Sequence, residues 1–118
     1  MQTESLHYLE FSSQDIKASI QFFTQVFKWE FTLYGEAYAA FKQPQNPGLE
    51  GGFFQSSSTN TPATNTVLPV FYNKDLKTIQ EKITQHNGII TKEIFEFPGG
   101  RRFHFKAPGD IEMAVWSE

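Results

Sequence analysis

The sequence predicts an α+β fold built from two βαβββ modules inside one domain, and three observations point to it. The pattern of apolar residues runs strand, helix, strand, strand, strand, and then repeats. A polar stretch from Ser56 to Thr66, with no apolar periodicity, separates the two runs as a linker. Sliding the chain by about 60 residues superposes Phe11 on Phe71, Asp15 on Asp75, Ile16 on Leu76, Lys17 on Lys77 and Phe23 on Ile83. These matches fall at a strand end, a cap and a helix face, where a duplicated module should agree with itself.

Module one spans 1–55. Leu6, Tyr8 and Glu10 alternate with His7, Leu9 and Phe11 as a short strand, and Ser12-Ser13-Gln14-Asp15 then supplies capping chemistry with Asp15 as N-cap. Ile16, Ile20, Phe23 and Phe27 recur on one helical face, which Phe22 and Val26 widen. Three β-rich segments follow, Trp29 to Tyr34, Ala37 to Lys42 and Leu49 to Gln55, broken by Gly35-Glu36 and by Pro44 to Gly48. The linker is 56–66 and module two is 67–118. Its strand runs from Val67 to Tyr72, and Asn73-Lys74-Asp75 caps a helix carrying Leu76, Ile79 and Ile83 that ends at Asn87-Gly88. Ile89 to Phe97, Arg101 to Lys106 and Ile111 to Trp116 are then strands joined at Pro98-Gly99-Gly100 and Pro108-Gly109-Asp110, turns short enough to require antiparallel neighbours.

The 118 residues, 39% of them hydrophobic with 13 Phe, suffice for one packed core and leave no room for a second domain. Ten Lys+Arg against 13 Asp+Glu, with no basic stripe, exclude a nucleic-acid partner. The lack of cysteine removes disulfides, thiolate metal sites and a Cys nucleophile. The stretch from Met1 to Phe11 has neither the charged start nor the apolar stretch of a signal peptide. With no apolar run of membrane-spanning length either, a cytoplasmic protein without a membrane partner is expected.

Two segments resemble a known family over essentially the whole chain. Asp15-Ile16, Phe22-Phe23 and Val26-Phe27-Lys28-Trp29 are similar to the first helix and helix exit of the vicinal oxygen chelate superfamily, the glyoxalase/bleomycin resistance/extradiol dioxygenase group. Phe103-His104-Phe105-Lys106-Ala107-Pro108-Gly109-Asp110-Ile111-Glu112-Met113 is similar to that family's ending, with Ala107 where the family usually has Asp. The resemblance implies a cupped mixed sheet with inward side chains facing one cleft, and a homodimer. In metal-using members it also implies four ligands, two per module, with His or Gln on first strands and Glu on last strands.

Glu112 matches the family's last-strand carboxylate and is the candidate catalytic residue. On a strand it shares a face with Ala114 and Trp116. Seven residues before Asp15 stands Tyr8, with His7 beside it; a bulge at Ser12-Ser13 would turn His7 inward, and otherwise Tyr8 and Glu10 point there. The matching position of module two is Leu68, and that of the first module's last strand lies near Gly51-Gly52, neither offering a donor atom, although Glu50 is close. At most His7 and Glu112 remain as metal ligands, so no cofactor is expected, although a divalent metal is possible. Gly51-Gly52 fits either a close approach of ligand or backbone, or a bulge. Arg102, His104 and Lys106 lie on one face of their strand, with Arg101, Phe103 and Phe105 on the other; the first face would hold an anionic or carbonyl-bearing ligand, the second would make an apolar pocket. Tyr38, Phe54 and Trp116 are aromatic candidates for the cleft wall, and His86 suits a helix C-terminus. The function expected is small-molecule binding in an aromatic cleft without a resident metal. The alternative is a metal-dependent glyoxalase-like lyase or isomerase, or a dioxygenase, working through Glu112.

Overall fold

The computed structural model describes residues 4–45, 48–57 and 67–118, which form eight strands and two helices. Asn46-Pro47 of the predicted turn and Ser58 to Thr66 of the predicted linker lie outside the described residues. The first repeat is β1 (Tyr8–Ser13), α1 (Ile16–Phe27), β2 (Glu30–Leu33), β3 (Tyr38–Lys42) and β4 (Glu50–Gln55). The second is β5 (Val70–Tyr72), α2 (Leu76–Gln85), β6 (Ile89–Phe97), β7 (Gly100–Ala107) and β8 (Ile111–Ser117). The sheets have matching orders, β1-β4-β3-β2 and β5-β8-β7-β6, with the first and last strand of each module parallel and all other pairs antiparallel. This is the predicted α+β fold of two βαβββ modules.

Both helices start as the sequence dictates. The Asp15 carboxylate accepts the Ala18 N–H at 3.1 Å, and that of Asp75 accepts the Thr78 N–H at 3.2 Å, so each cap satisfies a backbone donor that the first turn leaves open. Helix α1 ends at Lys28, which adopts the left-handed conformation at φ 61° and returns its N–H to the Phe23 carbonyl. At the end of α2 the left-handed residue is Asn87, φ 74°, rather than the glycine after it.

Most strand boundaries differ from the expected ones by a residue, and those of β1 and β5 by more. Ser12 and Ser13 belong to β1, paired with Phe54 and Gln55, and the strand begins at Tyr8 rather than Leu6. Strand β5 is three residues long because Pro69, which has no N–H to donate, ends the ladder before Val67 and Leu68 can join it. No bulge occurs at Gly51-Gly52, where register runs unbroken on both sides; the irregularities lie in β6, between Ile90 and Lys92 and between Lys92 and Phe95.

The core lies on the helix side of the sheets. Phe41 and Phe53 from the first sheet, and Phe103, Phe105, Met113 and Val115 from the second, are buried against Phe22, Phe23 and Val26 of α1 and Ile79 and Ile83 of α2. The modules share this core through aromatic contacts: Phe27 stacks on Phe71 at 4.1 Å between ring centres, Phe22 meets Phe105 at 5.9 Å, and Trp29, stacked between Phe23 and Phe41 of its own module, meets Phe71 at 5.9 Å. Burying each such ring contributes about 1.5–3 kcal/mol, which makes this seam the main source of cohesion between the repeats.

A polar clasp accompanies it. The Ser19 hydroxyl donates to the Pro108 carbonyl at 2.7 Å and accepts from the Ser13 hydroxyl at 2.8 Å, while Ser13 Oγ accepts the Asp15 N–H at 3.1 Å. The Gln14 N–H meets the Gly109 carbonyl at 3.0 Å. Gly109, at φ 99°, leaves room for both hydroxyls, since a Cβ there would lie 2.3 Å from Ser19 Oγ and 2.4 Å from Ser13 Oγ. The end of β1 is thus fastened to the turn between β7 and β8.

Candidate functional site

Alternation along the strands decides which side chains face away from the helices. Phe103 and Phe105 are fully buried on the helix side, so Arg102, His104 and Lys106 occupy the opposite face, across from Trp116, Ala114 and Glu112 respectively. Val70 and Tyr72 of β5 continue this face beside Ala114 and Trp116, and Phe95 and Lys92 of β6 bound it beside Arg102 and His104. On the first sheet Phe11 packs on Phe41 and Phe53 in the core, so Tyr8, Glu10, Tyr38 and Phe54 take the helix-free face.

Arg102 is the centre of the second face. Its guanidinium carbon stands 5.4 Å from the ring centres of both Phe95 and Phe97, and Lys92 Nζ lies 4.4 Å from that of Phe95. Phe97 and Tyr72 meet Trp116 edge to face at 6.4 and 5.1 Å, continuing the aromatic wall. Among the described residues no carboxylate is within ion-pair distance of Arg102, and its Nε is buried without a hydrogen-bond partner. Lys106, by contrast, is paired with Asp110 at 2.9 Å.

His104 and Glu112 come together, with Nδ1 3.6 Å from Oε2, too long for a hydrogen bond but close enough for charge to matter. Burial pushes the imidazole's pKa down from its ordinary value, the Arg102 and Lys92 cations push the same way, and Glu112 opposes them. His104 is therefore neutral at neutral pH. Its Nε2 is buried and has no hydrogen-bond partner.

The first sheet carries a different group. Tyr38 reaches from β3 across β4 to donate its hydroxyl proton to Glu10 Oε2 at 2.9 Å, and accepts the Tyr8 hydroxyl at 2.6 Å. Gly52 makes the crossing possible: a Cβ there would lie 2.2 Å from the Tyr38 oxygen. The glycine accommodates a neighbouring side chain. Burial, followed by the hydrogen bonds to Tyr8 and Glu10, raises the Tyr38 phenol well above its ordinary pKa.

The register corrects one expected equivalence. Phe11 pairs with Phe53 as Phe71 pairs with Val115, so Phe54 matches Trp116, Gly52 matches Ala114, and Glu50 matches Glu112. Glu50, rather than Gly51-Gly52, is the first module's counterpart of Glu112. His7 is exposed and precedes β1, whereas Tyr8 and Glu10 lie within it on the helix-free face. The sequence reading missed Lys92, Phe95, Phe97 and Tyr72. The irregular register of β6 hides the first three from any period-two count, and Tyr72 lay in plain alternation with Val70.

Among the described residues no group of three or more His, Asp or Glu could hold a metal ion. Glu112 has one imidazole beside it, in a neighbourhood that also carries Arg102 and Lys92, cations that oppose a divalent ion. These residues do not fit a resident metal. Nor, among the described residues, is any helix long and apolar enough to cross a membrane.

No protein-family model matches the chain, and no curated protein matches it significantly. Solved structures do. A glyoxalase-related enzyme from Fulvimarina pelagi aligns over 98% of this chain and 88% of its own, with a TM-score of 0.78 at 10% identity. A genomically encoded fosfomycin resistance protein, FosX, from Listeria monocytogenes aligns over 99% and 95%, at TM-score 0.76 and 15% identity. A glyoxylase/bleomycin resistance protein/dioxygenase domain from Frankia aligns over 98% of each chain, at TM-score 0.72 and 16% identity. The chain has the fold of the glyoxalase/bleomycin resistance proteins, the fold of the vicinal oxygen chelate superfamily that its sequence resembles.

Proposed function

We propose that this protein binds a small organic anion on the helix-free face of its second sheet, in the manner of a bleomycin-resistance-type binding protein, with no bond made or broken and no resident metal. The observation that carries the reading is Arg102: a guanidinium braced by two phenylalanine rings, without a carboxylate partner among the described residues, beside Trp116. A carboxylate or phosphonate head can take two parallel hydrogen bonds from such a fork, and an aromatic or aliphatic body would lie on Trp116 and Phe97. His104, neutral at neutral pH, can hydrogen-bond a carbonyl without adding charge. The similarity to a fosfomycin resistance protein agrees with a small anionic ligand.

The protein works as a homodimer in this reading. Tyr72, Phe54 and Tyr8 remain 50%, 40% and 38% exposed on the helix-free faces, more aromatic surface than a lone ligand covers. The first face carries Glu10 where the second carries Arg102 and Lys92, so the first face of one copy suits the second face of another. Tyr8, Tyr38 and Phe54 would then complete the ligand's surroundings.

The contact between Glu112 and neutral His104 favours one further reading, in which Glu112 is the base for proton transfer beside a carbonyl, as in a glyoxalase-like lyase or isomerase. A thermal-shift screen of small metabolites, run with and without divalent metals, separates the two. Binding alone predicts that organic anions raise Tm with or without metal. Stabilisation that appears only with added metal would favour the enzyme, and a panel of anions without effect would remove the anion site.

A further inference from the structure

A cavity lies on the helix side of the second sheet, where the modules meet. A groove of about 630 Å³ runs between the end of α1 and the face of α2, with Phe27, Trp29, Phe71 and Ile79 among its apolar walls. It adjoins a chamber of about 240 Å³ lined by Phe11, Phe41, Leu49 and Met113, and both spaces touch Trp29 and Phe71. Together they have the size of a small-molecule site. The polar lining is one-sided in charge: Lys28 and Lys82 border the groove, and no Asp or Glu lines either space, in a chain with 13 acidic residues against 10 basic ones. Neither lysine has an ion-pair partner among the described residues.

Lys28 occupies its place against local preference. It closes α1 in the left-handed conformation that glycine adopts without strain, and it borders the groove. We propose that this groove binds an amphipathic carboxylate, with the hydrocarbon part against Trp29 and Phe71 and the anionic head held by Lys28 and Lys82. The groove lies on the helix side of the second sheet and Arg102 on the opposite side, with Val70 and Tyr72 of β5 bordering both.

Trp29 reports on it directly. In a Trp116→Phe background it is the lone tryptophan, and its fluorescence can be followed while decanoate, decanol or decyltrimethylammonium is titrated in. Decanoate should produce a saturable change at concentrations about tenfold lower than the neutral or cationic chain. Lys28→Gly should weaken decanoate about tenfold while raising Tm, because it relieves the backbone as it removes the charge, and Lys82→Gln should weaken it similarly. Equal responses to the three probes, undiminished affinity in both variants, or a silent Trp29 would each overturn the proposal.

Discussion

The Tyr38 hydroxyl stands 2.9 Å from Glu10 Oε2 after crossing an entire strand, and Gly52 is the residue it crosses. An added methyl at that position would lie 2.5 Å from Tyr38 Cζ. Gly52→Ala should therefore displace the ring and destabilise the fold by about 1–3 kcal/mol, read from denaturant unfolding. In a Tyr38→Ala background the same substitution should cost less, because only the Ala39 carbonyl, 3.0 Å from the added methyl, remains close.

The same contact predicts behaviour in alkali. The folded phenol of Tyr38 titrates above its ordinary value of 10.0, so its contribution to stability is complete below that pH and is lost as pH rises from there toward the higher folded value. Absorbance titration should show a late-ionising tyrosine that Tyr38→Phe removes. Tyr72, raised chiefly by its hydrogen bond to Glu118, should also ionise late, so Tyr72→Phe is the necessary companion variant.

His104 sets the response to acid. Its folded pKa lies below the ordinary 6.5, so the folded chain takes up this proton less readily than the unfolded one. The corresponding stability is present above about 6.5 and is lost as pH falls through the folded value. A series of melting temperatures from pH 7.5 to 5 should fall, and His104→Asn should flatten the slope.

Much of this fold was legible in the sequence because its signals are local. Asp15 and Asp75 precede apolar faces at helical spacing, and both are N-caps. Phe11 and Phe71, matched by the repeat, hold equivalent places beside the last strands. What stayed hidden depends on contacts between strands. Gly52 looked like a bulge or a ligand approach, because no local pattern says that a tyrosine from the next strand lies over it. Arg102 and Phe103 could have exchanged faces until the helices were seen to cover the phenylalanines. The match of Glu112 falls at Glu50, beside the Gly51-Gly52 that counting along the chain indicates, because the repeat shifts in the last strand after loops of different length.

Ser19 offers a test of how the repeats are joined. Replacing it with Ala leaves the fully buried Ser13 hydroxyl and the half-buried Pro108 carbonyl each short of a partner. The cost should be about 1–3 kcal/mol, larger than surface substitutions give, and thermal unfolding would measure it.

Arg102 bears the central claim. Isothermal titration of the most stabilising organic anion from the screen, into the unaltered protein and into Arg102→Gln at equal ionic strength, tests it most directly. The predicted result is saturable binding that the substitution weakens by tenfold or more, as expected when a charge-assisted hydrogen-bond pair is lost. Equal affinity in the two proteins would contradict it and place the ligand away from this face.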